Sequence, residues 1–217
     1  SDTEVIVHAY EEWGDACVER FRGMFAFAVW DTRARRLLLA RDRVGIKPLY
    51  YAQPADGGLV FGSEIKSILL DPAVSGTWSP DALDAYLTLL YVPAPATIYE
   101  EVRKLPPGHV LVADRLGVRV IRYWDLEFTG TGDPASEQEY LEELDALLTE
   151  SVRMRLISEV PLGAFLSGGI DSTAVVAYMT ATSDAEVLAS SVGFADQAHN
   201  ELDKARRIAD HLGCRLE

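Results

Sequence analysis

Only two cysteines occur in the 217 residues, Cys17 and Cys214. They lie far apart and form neither a CxxC pair nor a disulfide framework, which excludes a disulfide-built scaffold and suits a reducing cytoplasmic compartment. Basic residues are also scarce: 20 Lys and Arg stand against 34 Asp and Glu, a formal charge of -14. So acidic a chain offers no surface for a phosphate backbone, and its densest basic cluster, Arg33, Arg35 and Arg36, reads as a solvated turn. Nucleic acid is therefore not an expected partner. No apolar run is long enough to span a bilayer and no signal-peptide pattern is present, so a membrane is not an expected partner either. Internal repeats and low-complexity tracts are missing. The chain lacks an initiator Met, opens on a helix cap, and stops at Arg215-Leu216-Glu217 where a strand should begin, which leads us to expect a piece of a longer protein.

What the chain does have is apolar residues, 48% of the total, enough to fill proper cores in one large domain or two small ones. One stretch carries chemistry. An apolar run, Val160 to Leu166, leads into Ser167-Gly168-Gly169-Ile170-Asp171-Ser172 and then into Thr173 to Met179, which holds no breaker. This pattern reads as buried strand, tight turn and helix. The glycines let the backbone approach an anion, the first N–H groups of the helix point at it, and Ser167 and Ser172 add hydroxyl donors. No lysine follows the glycines, so this is not a Walker loop. Asp171 stands there instead, and a carboxylate beside a phosphate needs a hard cation between them. Mg2+ held by one carboxylate and phosphate oxygens meets that need, so the loop implies a magnesium nucleotide rather than bare phosphate, with Asp171 as the metal ligand. The alternative is a plain Gly-Gly turn with Asp171 or Ser172 as helix N-cap.

Along the chain, Ser1 and Glu4 form a capping-box pattern ahead of a helix that ends at Gly14. Strand-like runs follow at Met24 to Trp30, Arg36 to Ala40, Pro48 to Ala52 and Leu59 to Phe61, with turns at Asp31-Thr32-Arg33 and Asp56-Gly57-Gly58 that make neighbours antiparallel. Ser63 to Leu70 reads as a helix, and Ser79-Pro80 caps another that carries Leu83, Tyr86, Leu87 and Leu90. Val110 to Ala113 and Val118 to Tyr123 form a hairpin. Thr129 to Ser136, rich in Gly, Thr and polar residues, reads as a linker. Beyond it, Tyr140, Leu141, Leu144, Leu147, Leu148 and Val152 make the stripe of an amphipathic helix that is expected to be buried. Val187 to Phe194 reads as a second buried strand, and Glu201 to Leu212 as a helix stopped by Gly213. Strands alternating with helices imply a parallel sheet with its ligands at the carboxyl ends of the strands.

Ser167-Gly168-Gly169-Ile170-Asp171-Ser172 resembles the pyrophosphate loop of the ATP-pyrophosphatase superfamily, whose members cleave ATP between the alpha and beta phosphates and adenylate a substrate. Three earlier runs resemble the glutaminase domain of class II glutamine amidotransferases: Arg22 to Asp31, Arg41-Asp42-Arg43-Val44-Gly45-Ile46-Lys47-Pro48-Leu49-Tyr50-Tyr51, and Phe61 to Lys66. Over nearly its whole length the chain is similar to the glutamine-hydrolysing asparagine synthetase family. That resemblance implies a mixed fold of α/β and α+β type. Its parts would be an incomplete antiparallel-sheet amidotransferase sandwich at 1-128, a linker at 129-136, and the start of a parallel-sheet, Rossmann-like ATP-pyrophosphatase domain at 137-217.

The resemblance also implies site residues. Asp2 would bind the alpha-amino group of glutamine, although helix N-capping serves it equally well from the sequence alone. Val192 and Phe165 would contact the nucleotide through their main chains, beside Ser167, Gly168, Gly169, Asp171 and Ser172 on the phosphates. Val192 could equally be core. Arg41, Asp42 and Lys47 could be catalytic, with buried or rim ion pairing as the alternative. The family's N-terminal cysteine nucleophile has no counterpart in these residues, so no catalytic residue is assigned and the chain by itself is expected to hydrolyse no glutamine. The implied substrates are ATP, aspartate and glutamine, and a homodimer is compatible with the resemblance. A related adenylating cyclase of the beta-lactam synthetase type, or a nucleotide-binding module without turnover, remains as an alternative.

Overall fold

The computed structural model describes residues 2–55, 57–128, 135–183, 185–193 and 201–217. Ser1, Asp56, most of the 129–136 segment and Phe194 lie outside them, so the Ser1 cap, the Asp56 turn position, the linker and the end of the second strand of the later region are not described. The chain divides into two compact units, residues 1–128 and 129–217.

In the first unit Leu37-Leu38-Leu39-Ala40 has no polar alternation, and the strand it builds is covered on both faces. A four-stranded antiparallel sheet runs in the order β1-β2-β6-β7, from Ala26–Asp31, Arg36–Arg41, His109–Asp114 and Gly117–Arg122. Leu38 and Ala40 face one way with Val110 and Val112, and pack with Ala9, Cys17 and Val18. Ala9 belongs to helix α1, Asp2–Trp13, and the other two to the 3-10 turn Gly14–Glu19. Leu39 and Leu111 face the other way and meet Leu49, Tyr51 and Leu105. Tyr51 lies on the middle strand of a second antiparallel sheet, ordered β4-β3-β5 from Val60–Gly62, Tyr50–Ala52 and Val102–Lys104. Its neighbour Ala52 points to the opposite side, where Ile68 of α2 (Ile65–Ile68), Val74 and Val102 form a further core. The layers are therefore helix, sheet, sheet, helix.

Short turns make β1–β2 and β3–β4 antiparallel, as the sequence leads one to expect. β2 and β3, although consecutive, belong to different sheets, and β2 pairs instead with β6. α2 is a single turn rather than the longer helix expected over Ser63 to Leu70. Ser79 caps α3, Pro80–Leu89, by accepting the Ala82 N–H at 3.2 Å. Most of the apolar residues on this helix are exposed, and only Ala82 is buried.

Arg41, Asp42 and Lys47 form one clasp. Asp42 is fully buried, and its two carboxylate oxygens accept the N–H groups of Ile46 and Lys47, each at 2.9 Å. The Arg41 guanidinium donates to the carbonyls of Lys47, Leu105 and Gly45 at 2.8, 2.7 and 2.7 Å. The hydrogen bonds of both charges go to main-chain groups, which gives each a structural role in the turn. Gly45 closes the turn at φ +69, and a Cβ there would lie 2.8 Å from Pro107 Cγ. Tyr123 donates its hydroxyl to the Arg41 carbonyl at 2.8 Å, and burial, with Asp42 nearby, pushes its phenol up to about 12. A folded-state phenol held above its ordinary value contributes stability that is complete below pH 10 and is lost as pH rises toward 12. Tyr123→Phe is expected to cost about 1 kcal/mol at neutral pH through the lost hydrogen bond, and to flatten that alkaline decline. Urea denaturation across pH 7 to 11.5 measures both, and an unchanged alkaline slope would assign the decline to other groups.

In the second unit α4, Glu137–Arg155, begins at a capping box in which Ser136 and Glu139 bond reciprocally. Its stripe is not buried as expected. Tyr140, Leu141, Leu144 and Leu147 are each more than half exposed and only Val152 is buried. Periodicity identifies an apolar face but not what covers it, and among the described residues only the last turns of α4 reach the core. The parallel sheet is ordered β10-β9-β8, from Arg215–Leu216, Leu188–Ser190 and Gly163–Phe165. Helices α5, Ile170–Thr182, and α6, Leu202–Leu212, connect them. β9 is shorter than expected, while Arg215–Leu216 does form a third strand beside it. Among the described residues β8 lies at the edge of the sheet: Phe165 is 81% exposed, Ala164 packs against the core and the following Leu166 is buried in it. Gly213 ends α6 in the left-handed conformation, φ +69.

Candidate functional site

The turn from β8 into α5 is tied by its own hydroxyls. Ser167 N–H donates to Ser172 Oγ at 3.2 Å, the two Oγ atoms lie 3.0 Å apart, and Ser172 Oγ donates to the Gly169 carbonyl at 3.2 Å. Gly169 N–H reaches Ser167 Oγ at 3.4 Å. The strand end and the first helical turn are thus held together. Gly168 adopts φ +80, a conformation that β-carbon-bearing residues avoid.

The helix N-cap is Gly169, with no side-chain capping bond, and the first intrahelical bond is Thr173 N–H to Gly169 O at 3.0 Å. Neither Asp171 nor Ser172 caps the helix, which removes the plain-turn alternative in the form given above. Asp171 stands exposed in the first turn of α5, next to N–H groups that no side chain caps. Such a helix end favours anions through its free donors and its dipole.

Among the described residues no cluster of three or more His, Cys, Asp or Glu could hold a metal ion. A divalent cation here would have Asp171 as its protein carboxylate, with the remaining ligands coming from phosphate oxygens and water. That donor set fits Mg2+ and does not fit a metal that needs a complete protein cage. Phe165 ends β8 and is paired with Ser190, the last residue of β9, while Val192 follows β9 and is 63% exposed. Val192 is therefore not core. Both stand at the carboxyl edge of the parallel sheet, the same edge as the glycine turn.

Asp2 is on the other unit. It lines an open cleft of about 740 Å³ together with Ile6, Arg22, Met24, Phe25, Lys47 and Ser63. One of its carboxylate oxygens accepts the Thr3 N–H at 2.8 Å, a local bond at the start of α1 that leaves the exposed carboxylate open to the cleft. Cys17 is fully buried, and burial together with Asp15 pushes its thiol pKa up. The half-buried Cys214 is raised by burial as well. Neither thiol has the lowered pKa or the access of a nucleophile. The clasp around Arg41 and Asp42 escaped sequence reasoning, although a cluster of charges directly after a buried strand and just before Gly45 marks it.

Comparison with known proteins gives consistent matches. The model of the glutamine amidotransferase domain matches residues 1–124, and that of asparagine synthase matches residues 143–217. Asparagine synthetase (glutamine-hydrolyzing) 3 of Bacillus subtilis is 38% identical over 82% of the chain and 28% of its own length. Asparagine synthetase (glutamine-hydrolyzing) 1 of the same organism is 34% identical over 98% of the chain and 33% of its own length. The chain thus spans about a third of the length of these curated relatives. Among solved structures, glutamine phosphoribosylpyrophosphate amidotransferase from B. subtilis, with ADP and GMP, aligns over 100% of the chain and 38% of its own at 17% identity, TM-score 0.36.

Proposed function

The chain belongs to the family of glutamine-hydrolysing asparagine synthetases, and from that premise we propose that it takes part in making asparagine from aspartate, glutamine and ATP. In this reading residues 1-128 belong to the glutaminase domain and residues 137-217 to the ATP-pyrophosphatase domain, joined by the 129-136 linker. The observation that carries the reading is the uncapped N-terminus of α5 behind a left-handed Gly168, at the carboxyl edge of the parallel sheet, with Asp171 exposed beside it.

The chemistry follows from the charges. An oxygen of aspartate's side-chain carboxylate attacks the alpha-phosphorus of ATP, the bond to the bridging oxygen breaks, and pyrophosphate leaves with that electron pair. Ammonia from glutamine hydrolysis then attacks the acyl carbon of the resulting beta-aspartyl-AMP, and AMP departs. The chain's part is electrostatic. The Gly169 to Ser172 N–H groups and the Ser167 and Ser172 hydroxyls receive the beta and gamma phosphates, where charge builds as the bond breaks. Asp171 would hold Mg2+ at this end of the loop, and the ion would supply positive charge against the charge that builds there. Phe165 and Val192 offer main-chain groups to the nucleotide, and Asp2 offers its carboxylate to the amino group of glutamine.

The test is exchange of labelled pyrophosphate into ATP by the intact protein that carries this chain. Exchange that depends on aspartate is expected. Exchange that proceeds without aspartate would overturn the acceptor, and no exchange with intact ATP binding would make this a nucleotide-binding module.

A further inference from the structure

The glycine turn carries no cation of its own, although the anion proposed for it has several negative charges and Asp171 adds another. Between Arg155 and Lys204 the sequence contains no lysine or arginine at all. The fold brings Lys204, the first basic side chain after this gap, onto the turn. A Cβ built on Gly168 would lie 2.7 Å from Lys204 Cβ and 3.3 Å from the Ala205 nitrogen, so the first turn of α6 is a wall of the loop. Ala205 anchors that wall, being fully buried in the core with Leu166 and Val176, while Lys204, one position before it, is exposed.

We propose that Lys204 is a phosphate-binding residue of this site, supplying from α6 the positive charge that a Walker loop carries within its own sequence. The inference rests on the reading of the Ser167 to Ser172 loop as a pyrophosphate site and adds the residue that balances its charge. Three observations converge on it. Lys204 stands beside the Gly168 turn, and its flexible four-carbon stem gives an ammonium reach over that turn. Its neighbour Asp203 is engaged by Arg206 at 3.8 Å and, through its carbonyl, by Arg207 at 3.3 Å, whereas the Lys204 ammonium has no hydrogen-bond or ion-pair partner among the described residues. Finally, the close approach itself requires a glycine at 168, so loop and lysine form one packed unit.

Calorimetric titration of the full chain with magnesium pyrophosphate and with MgATP tests the assignment. Lys204→Met is expected to raise the Kd of both about tenfold, the size of a lost charge-assisted hydrogen bond. Lys204→Arg, which keeps the charge, should stay within about threefold of the native chain. Unchanged circular dichroism and melting temperature would separate lost binding from lost packing. An equal effect on pyrophosphate and ATP would place the contact on phosphate. Gly168→Ala, which disrupts the turn itself, serves as the control for the site. Binding that Gly168→Ala abolishes and Lys204→Met leaves within about twofold overturns the role of Lys204 while leaving the loop assignment standing. No binding of either ligand by the native chain overturns both.

Discussion

Asp171→Asn is expected to lower aspartate-dependent adenylation by the intact protein by about two to three orders of magnitude, the scale at which removal of one preorganised electrostatic element is felt. The substitution keeps the shape of the side chain and its place in the first turn of α5, which is exposed. What it removes is the negative charge that, in the proposed function, would hold a divalent cation against the phosphates. Stability should change by less than about 0.5 kcal/mol, because Asp171 neither caps the helix nor packs in the core. The loss should therefore appear in the rate of labelled pyrophosphate exchange and not in a melting curve. Added Mg2+ should recover part of it if the defect lies in cation affinity. An unchanged exchange rate would leave Asp171 a solvated residue of the first turn.

The second large effect concerns stability. Asp42→Ala is expected to destabilise the first unit by about 3–5 kcal/mol, since two N–H groups lose the acceptor that a fully buried carboxylate gives them, each at about 1–3 kcal/mol. Asp42 is 0% exposed, and its carboxylate is the acceptor for both Ile46 and Lys47. The main chain of the same residue anchors the turn further, because its carbonyl accepts Gly45 N–H at 3.1 Å and Gly108 N–H at 2.9 Å. Asp42→Asn retains one acceptor oxygen and should cost about half as much. Urea denaturation followed by tryptophan fluorescence measures both, and a loss below about 1 kcal/mol for Asp42→Ala would mean that the turn re-forms around water. Any change in glutamine handling should follow from displacement of Lys47 at the edge of the Asp2 cleft.

These two aspartates show how differently sequence and structure speak. The place of Asp171 in the first turn of a helix behind a glycine turn was legible because its causes lie within six residues: two glycines, two hydroxyls and the start of an apolar helix. Asp42 was not, since a buried carboxylate that binds the main chain and a catalytic carboxylate are the same letter, and its burial depends on β1, β6 and the Gly108 turn. The capped helix after Ser79, the hairpin from His109 to Arg122 and the stop at Gly213 were legible for the same local reason. Strand β5 was missed: three residues, Val102–Lys104, carry too little periodicity to announce themselves and are specified by pairing with β3.

By itself the sequence determined the elements whose causes are local: amphipathic periods, caps, glycine turns, and the order of an antiparallel region followed by a parallel one. Their free energies come from neighbours within a turn or a hairpin, so a short window contains the cause. Only the tertiary structure decided which faces are covered. It left Tyr140, Leu141, Leu144 and Leu147 exposed, buried β2 on both faces, turned Arg41 and Asp42 into a clasp, and set Lys204 against Gly168. Those outcomes depend on contacts between residues distant in the chain, and such contacts exist only once the layers have packed.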